Sequence, residues 1–317
     1  MALTPFVYAP FGTPGRNAIG EQSSTELSFV RNFDITKPAV MVFFAHGHRV
    51  MLERDVVRRQ AVLAQLEKAG LNAVLVAPQL AYNATGPAGD SPGRFAEPGF
   101  ATKFFEEAAQ KLAQMHDQQR HNLGRPKPET LDTFRKMPII VTSYSGGYGA
   151  ANAVIEESMR AVPLVHMGAG GQLIDQPSLG QRIKGAVLLD TLYGGSDTYR
   201  RFASQTHRPF VVSNYIPTNG RNLTHISNTV LHAHFSATGQ LTTGTVNARQ
   251  NVKIYHATSG DHVNLVQDTL TRSLGYIPGY RVADVVGPAV ARTTPTAGTA
   301  QYGWRMHRHT PLPPNTG

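Results

Sequence analysis

Residues 141–155 read VTSYSGGYGAANAVI, and this stretch decides which fold the chain is expected to have. The residues before it, 138–141, are short, apolar and largely β-branched, whereas residues 150–155 are rich in helix formers. A buried strand that runs through a tight glycine turn into a helix exposes one side chain at the top of a sheet. Ser145 is the hydroxyl that this turn is predicted to expose.

Short apolar runs on both sides of this stretch predict a sheet. The strand candidates are residues 39–45, 73–77, 138–141, 183–189, 209–213 and 252–256, with a further hairpin at one edge from residues 6–8 and 27–30. Helical patterns separate most of them, among them one helix that starts near Leu52 and stops at Gly70, and others over 100–119 and 150–161. Alternating units with wholly apolar strands predict an α/β fold with a mostly parallel central sheet covered by helices on both faces.

The same pattern sets the domain boundaries. Residues 1–286 are predicted to form one domain, with a lid over the site from residues 80–99 and 213–250. Residues 287–317 are a tail rich in Pro, Thr and Gly without periodicity, which predicts a surface wrap or a partly disordered segment. The segment 213–250 could equally be an oligomer contact or an extended surface loop.

Composition excludes several classes of function. The chain of 317 residues has no cysteine, which excludes disulfides, thiolate catalysis and cysteine-bound zinc. Its formal net charge is +9, but the basic residues are scattered without a run, which argues against nucleic-acid binding. No apolar run is long enough for a transmembrane helix, and the N-terminus lacks the pattern of a signal peptide. The compartment and the oligomeric state stay open.

The chemistry is expected where the predicted strands end. In an open parallel sheet, functional groups gather at the carboxyl ends of the strands. These ends carry His46-Gly47-His48, Ser143-Tyr144-Ser145-Gly146-Gly147, Asp190, Asn214 and Asp261-His262. Nucleophilic catalysis needs a hydroxyl, a general base and a group that orients the base, and Ser145, His262 and Asp190 supply these types. Along the chain they come in the order Ser, Asp, His, which the nucleophile-elbow architecture expects.

The chain resembles an α/β-hydrolase over roughly residues 25–285. The family's elbow is written Gly-x-Ser-x-Gly, and here Ser143 stands where the first Gly is expected. Ser143 is also a hydroxyl, so it is the alternative nucleophile. The resemblance implies hydrolysis of an ester, or less readily an amide, in a small molecule or a polymer, through an acyl-enzyme on Ser145 and without a cofactor or metal.

The resemblance also implies roles for the surrounding residues. The amides of Gly146 and His48 are expected to hold the oxyanion. Asp190 is the preferred acid beside His262, with Asp197 and Asp261 as the alternatives. Tyr82 belongs to the loop 80–99 that is expected to cover the site and contact substrate. Tyr144 and Tyr193 are further candidates for substrate contacts, with packing as an equal alternative for these two.

Two other classes of function compete with this interpretation. The His46-x-His48 pair is also how amidohydrolase-type barrels hold a divalent metal, although here the order of the later Asp190 and His262 is reversed and the strands are too few. The pair His232 and His234 is a further, incidental candidate for metal. The second alternative is a hydrolase scaffold that has lost activity and serves for binding.

Overall fold

The computed structural model describes residues 25–80, 93–119, 127–160, 164–167, 173–217, 223–257, 261–280 and 304–305. The strands, in chain order, are β1 (Thr25–Phe29), β2 (Val40–Ala45), β3 (Ala73–Pro78), β4 (Ile139–Tyr144), β5 (Leu164–Met167), β6 (Leu173–Gln176), β7 (Ile183–Leu189), β8 (Phe210–Tyr215), β9 (Val252–His256) and β10 (Trp304–Arg305).

The helices follow the same order along the chain. They are α1 (Val62–Lys68), α2 (Phe100–Gln119), α3 (Pro128–Lys136), α4 (Tyr148–Arg160), α5 (Leu179–Arg182), α6 (Ser196–Ala203), α7 (Leu223–Ala237) and α8 (Leu265–Leu274), with a π-helical segment at Leu52–Arg59 and 3-10 turns at Gly93–Ala96 and Ser145–Gly147. Among the described residues, no helix is long and apolar enough to cross a membrane.

The main sheet has the strand order β10-β1-β3-β2-β4-β7-β8-β9. Its strands from β3 to β9 run parallel, whereas β1 is antiparallel to β3 and β10 is antiparallel to β1. Strands β5 and β6 form a separate antiparallel pair. The predicted mostly parallel sheet is therefore confirmed.

Helices cover both faces of this sheet because its strands are apolar on both sides. In β2 the alternate residues Met41 and Phe43 belong to one core cluster, and Val42 and Phe44 belong to the other. The first cluster packs under α2, α3, α4, α6 and α7, and the second under α1, α8 and the π-helical segment. A strand buried on both faces needs this continuous apolar run.

The sequence predicted one continuous helix from Leu52 to Gly70, and this prediction is wrong. The π-helical segment and α1 are two pieces, separated at Ala61, whose φ is 45°. The amide of Gln60 donates to the carbonyl of Asp55, five residues back, so the turn is wider than an α-turn. The wider turn shifts the register, and Val62 is fully buried where the α-helical spacing predicted Leu63.

Several elements were not predicted. Helices α3, α6 and α7 and the pair β5–β6 lie where the sequence indicated a linker, loops or an unexplained segment. Helix α7 falls within 213–250 and packs on β8 and β9. The predicted strand at 6–8 and residues 81–92, which make up most of the first predicted lid segment, 80–99, lie outside the described residues. The lid and the domain boundary at residue 286 stay predictions.

The carboxyl end of β4 packs tightly against the end of β2. A Cβ atom at Gly147 would lie 2.2 Å from the carbonyl oxygen of Ala45 and 2.8 Å from that of His46. Both neighbours are backbone atoms, which cannot turn aside. The turn after β4 is therefore held against the loop after β2 by a contact that only glycine allows.

We expect Gly147→Ala to destabilise the protein by about 1–3 kcal/mol, because overpacking outweighs the roughly 1 kcal/mol that alanine gains over glycine in a helix. Urea unfolding measures this change in the free energy of unfolding. The matched control is Gly244→Ala, since a Cβ there meets its nearest atom, Thr242 Oγ1, at 3.9 Å. Equal stability of the two variants would contradict the contact.

Candidate active site

Ser145 lies at the reversal from β4 into α4. Its φ is 49°, in the left-handed region that non-glycine residues rarely adopt. A Cβ at Gly47 would lie 2.8 Å from Ser145 Cβ, so the loop after β2 touches the turn directly. Backbone strain of this kind collects at functional sites, where the surrounding structure maintains it.

Three side chains meet at this edge of the sheet in one chain of hydrogen bonds. Ser145 Oγ lies 2.8 Å from His262 Nε2, and His262 Nδ1 lies 2.7 Å from Asp190 Oδ2. An ionised carboxylate only accepts, so Nδ1–H donates to Asp190 and Nε2 is left to accept the proton of the Ser145 hydroxyl. The arrangement can therefore draw the proton from Ser145 towards His262.

Asp190 is buried at the end of β7, with 3% of its surface exposed. Its second oxygen, Oδ1, accepts hydrogen bonds from Thr224 Oγ1 at 2.6 Å and from the amide of Ile216 at 3.3 Å. Both carboxylate oxygens are thus bonded, as burial of a charge requires. Thr224, on α7, was missed in the sequence because nothing local links it to a residue 34 positions away.

The other candidates for nucleophile and acid lie elsewhere. Ser143 is fully buried within β4, whereas Ser145 is partly exposed. Asp197 is bonded to Arg200 and Arg201 at the start of α6. Asp261 accepts from the amide of Val263 at 2.8 Å and from the side chain of Asn264. The hydrogen-bond partners of the His262 ring are Asp190 and Ser145 instead.

Tyr144 packs against His262. Its hydroxyl donates to the carbonyl oxygen of His262 at 2.8 Å, and the two rings stack with centroids 5.2 Å apart. Only 4% of Tyr144 is exposed, and burial raises the pKa of its hydroxyl. These contacts fit the packing alternative, and a contact of Tyr144 with substrate stays a prediction.

The other two tyrosines predicted to contact substrate are Tyr193 and Tyr82, and only Tyr193 is among the described residues. Tyr193 is half-buried near the site, with its ring 5.8 Å from that of Tyr148. Its amide donates to the carbonyl of Thr191, whose hydroxyl in turn donates to the carbonyl of Ser145 at 2.7 Å. Tyr82 lies outside the described residues, so its contact with substrate stays a prediction.

His46 organises the loop that lies against Ser145. Its Nε2 accepts from the amide of Leu80 at 2.7 Å, and its Nδ1 lies 2.9 Å from the carbonyl oxygen of Gly47. Gln79 also lies 3.0 Å from Nε2 and bonds the carbonyl of Val50. Burial lowers the pKa of His46 to about 4, so the ring is neutral at pH 7.

The sequence suggested two uses for the loop that contains His46 and His48: binding of a metal by the two side chains, and binding of an oxyanion by the amide of His48. The hydrogen bonds of His46 affect the first of these. With both ring nitrogens of His46 engaged, no lone pair remains for a metal, and no cluster of three or more metal-ligating side chains occurs among the described residues. His232 and His234 lie on α7. His48 follows Gly47, next to the turn that carries Gly146; their oxyanion roles stay predictions.

The topology and the turn at Ser145 together decide the fold. A Ser at the strand-to-helix reversal, an Asp after a later strand and a His after the last parallel strand follow the order of the nucleophile-elbow architecture. This is an α/β-hydrolase fold. Within that fold, Asp190 stands directly after β7, and the next strand, β8, ends in Asn214 and Tyr215.

Neither a family model nor a curated protein matches this sequence. A mutant of the feruloyl esterase module from Clostridium thermocellum, complexed with sinapinate, is similar at 12% identity over 81% of this chain and 83% of that one, with a TM-score of 0.44. The S-formylglutathione hydrolase from Agrobacterium tumefaciens matches at 8% identity over 81% and 92%, with a TM-score of 0.40. A thermostable esterase from Pseudomonas putida matches at 11% over 79% and 76%, with a TM-score of 0.36.

Substituting Tyr144 tests its support of His262. We expect Tyr144→Phe to lower kcat about 5-fold, because it loses one hydrogen bond of about 1 kcal/mol, and Tyr144→Leu to lower kcat further, because it also loses the stacked ring. Steady-state kinetics on a chromogenic ester would show KM unchanged in both variants. A raised KM with unchanged kcat would instead favour the substrate contact predicted from the sequence.

The buried His46 predicts acid sensitivity. Between its unfolded pKa of about 6.5 and its folded pKa of about 4, only the unfolded chain takes up the proton. The free energy of unfolding therefore falls as pH falls through this window, by about 3 kcal/mol in total from this group. Urea unfolding at pH 7 and at pH 4 measures the loss, and His46→Gln should show a smaller one. Equal losses in both proteins would contradict this origin.

Proposed function

We propose that the protein hydrolyses a carboxylic ester through an acyl-enzyme on Ser145. The observation that supports this most directly is the unbroken chain of hydrogen bonds from Ser145 Oγ through the His262 ring to Asp190 Oδ2. The nucleophile, the base and the orienting acid come from three different loops, and each has the partner that its role requires.

In the proposed acylation step, Ser145 Oγ attacks the ester carbonyl carbon while its proton passes to His262 Nε2. The negative charge that develops on the carbonyl oxygen is held by the amides of Gly146 and His48. The intermediate collapses as the bond to the alcohol oxygen breaks, and His262 gives its proton to that oxygen. The products are the free alcohol and the acyl group on Ser145.

Deacylation repeats these transfers with water. His262 removes a proton from a water molecule, which attacks the acyl carbon, and then returns a proton to Ser145 Oγ as the acid leaves. Asp190 keeps Nδ1–H directed at itself and stabilises the imidazolium form during both steps. Thr224 and the amide of Ile216 hold Asp190 in place from the other side.

Substituting Ser145 tests the proposal. We expect Ser145→Ala to lower kcat for a p-nitrophenyl ester by at least about three orders of magnitude with folding intact, the usual scale for loss of a triad member. Labelling with a fluorophosphonate probe and mass mapping should place the tag on the peptide that contains Ser145. His262→Ala should abolish the labelling.

The matched control is Ser143→Ala, which changes the neighbouring hydroxyl and should keep both labelling and activity. A chelator should leave the rate unchanged, which separates a serine hydrolase from a metal-dependent one. Failure of the well-folded protein to take the label would favour a scaffold that has lost activity. Loss of label in Ser143→Ala, but not in Ser145→Ala, would move the nucleophile by two residues.

A further inference from the structure

Arg59, at the end of the π-helical segment, contacts the loop that carries His262. Its Nη1 donates to the carbonyl oxygen of Val263 at 3.0 Å, and its own carbonyl oxygen accepts from Gln267 Nε2 at 2.7 Å. Val263 follows His262 directly, and Gln267 lies on α8, the helix that begins just after this loop. Arg59 therefore binds the chain at two points on the C-terminal side of His262.

A buried carboxylate orients the guanidinium of Arg59. Asp55 Oδ1 accepts from Arg59 Nε at 2.8 Å, and the Asp55 side chain is 5% exposed. The other oxygen, Oδ2, accepts from the amide of Met51 at 2.8 Å and from Arg54 Nη2 at 2.8 Å. Burial would raise the pKa of Asp55, but its hydrogen bonds outweigh this effect and leave the pKa lower than usual. The carboxylate is therefore charged at pH 7 and holds Arg59 in one direction.

Two successive carbonyl groups of the His262 loop are thus bound by side chains from different elements. The carbonyl oxygen of His262 accepts from the Tyr144 hydroxyl, and that of Val263 accepts from Arg59. Burial raises the pKa of the Tyr144 hydroxyl and the positive charge of Arg59 opposes this rise, so the guanidinium lies near the ring that stacks on the imidazole. Together these contacts fix the backbone from which the imidazole reaches Ser145.

We propose that Arg59 is a positioning residue for His262, whose backbone it holds where Nε2 stays within hydrogen-bond reach of Ser145 Oγ. The inference rests on the proposed function, because the position of the imidazole affects a rate only if His262 is the base. Nε2 and Oγ are 2.8 Å apart, and Arg59 acts on that distance through the carbonyl of Val263. Displacing a catalytic group by about 1 Å can lower a rate about 100-fold, so a second anchor on this loop has a large effect available to it.

The competing role for Arg59 is purely structural, as a tie between the π-helical segment and α8. Other contacts already join these parts of the fold. The amide of Thr271 on α8 donates to Gln65 Oε1 on α1 at 3.2 Å, and both helices pack in the second core cluster. If Arg59 is replaced, Asp55 also keeps its bonds from Arg54 and from the amide of Met51. We therefore expect Arg59→Met to fold and chiefly to release the His262 loop.

Steady-state kinetics on the full chain tests the proposal, with a p-nitrophenyl ester as substrate and active sites titrated with the fluorophosphonate probe. We expect Arg59→Met to lower kcat per active site by about 10-fold with KM unchanged, the scale of one hydrogen bond from a charged group. Arg59→Lys should recover part of the loss, because its ammonium group can still donate to the carbonyl of Val263. A purely structural role would instead reduce the number of titrated sites and leave kcat per site unchanged, which would overturn the proposal.

The matched control is Arg58→Met, which removes the neighbouring arginine. The Arg58 side chain is 74% exposed and binds Glu53 on the surface. This variant should keep the kcat of the parent. An equal fall in kcat in Arg58→Met and Arg59→Met would assign the effect to the loss of positive charge and overturn the proposal.

Proton NMR provides a readout that needs no turnover. The Nδ1–H proton of His262, bonded to Asp190, should give a resonance far downfield that His262→Ala removes. We expect Arg59→Met to broaden it, because a released loop lets this proton exchange with water, and Arg58→Met to leave it sharp. A resonance as sharp in Arg59→Met as in the parent would overturn the inference. An inactive parent whose resonance is broadened by Arg59→Met would reject the proposed function and keep the positioning role of Arg59.

Discussion

The left-handed turn at Ser145 is the constraint on which the rest of the site depends. A φ of 49° at a residue with a side chain is costly, and it persists because close contacts enclose the turn. Gly147 meets the backbone of Ala45, Gly47 meets Ser145 itself, and Thr191 binds the carbonyl of Ser145. Each contact comes from a neighbouring strand end, so the geometry of the hydroxyl is a property of the whole parallel sheet.

Asp190, the proposed acid, is held by an equally strained backbone. Asp190 has a φ of 44°, the same unusual region as Ser145, and its burial leaves both oxygens dependent on protein partners. One oxygen binds His262, and the other binds Thr224 and Ile216, so α7 and the end of β8 share in orienting the imidazole. Tyr144 stacks against the same imidazole and donates a hydrogen bond to the carbonyl oxygen of His262. The histidine is thereby fixed on two sides before any substrate arrives.

Part of this arrangement follows from the sequence, and the reason is physical. Wholly apolar runs mark buried parallel strands, and the residues after such runs share one edge, which is why the sequence predicted that Ser145, Asp190 and His262 would meet. The same reasoning does not reach Thr224 or the stacking of Tyr144, because those contacts depend on how helices and loops return across the sheet. The π-helical turn at Asp55 was missed as well, since apolar spacing does not distinguish a wide turn from a break.

His262 follows the last parallel strand and lies 117 positions after Ser145. During synthesis the segment around Ser145 therefore leaves the ribosome long before His262 does. Contacts between such distant positions are slower to form than local ones, because closing a long loop costs more entropy. An incomplete chain that ends before β9 lacks His262 entirely, so under the proposed mechanism a nascent or truncated product carries Ser145 without its base, and hydrolysis requires the whole sheet.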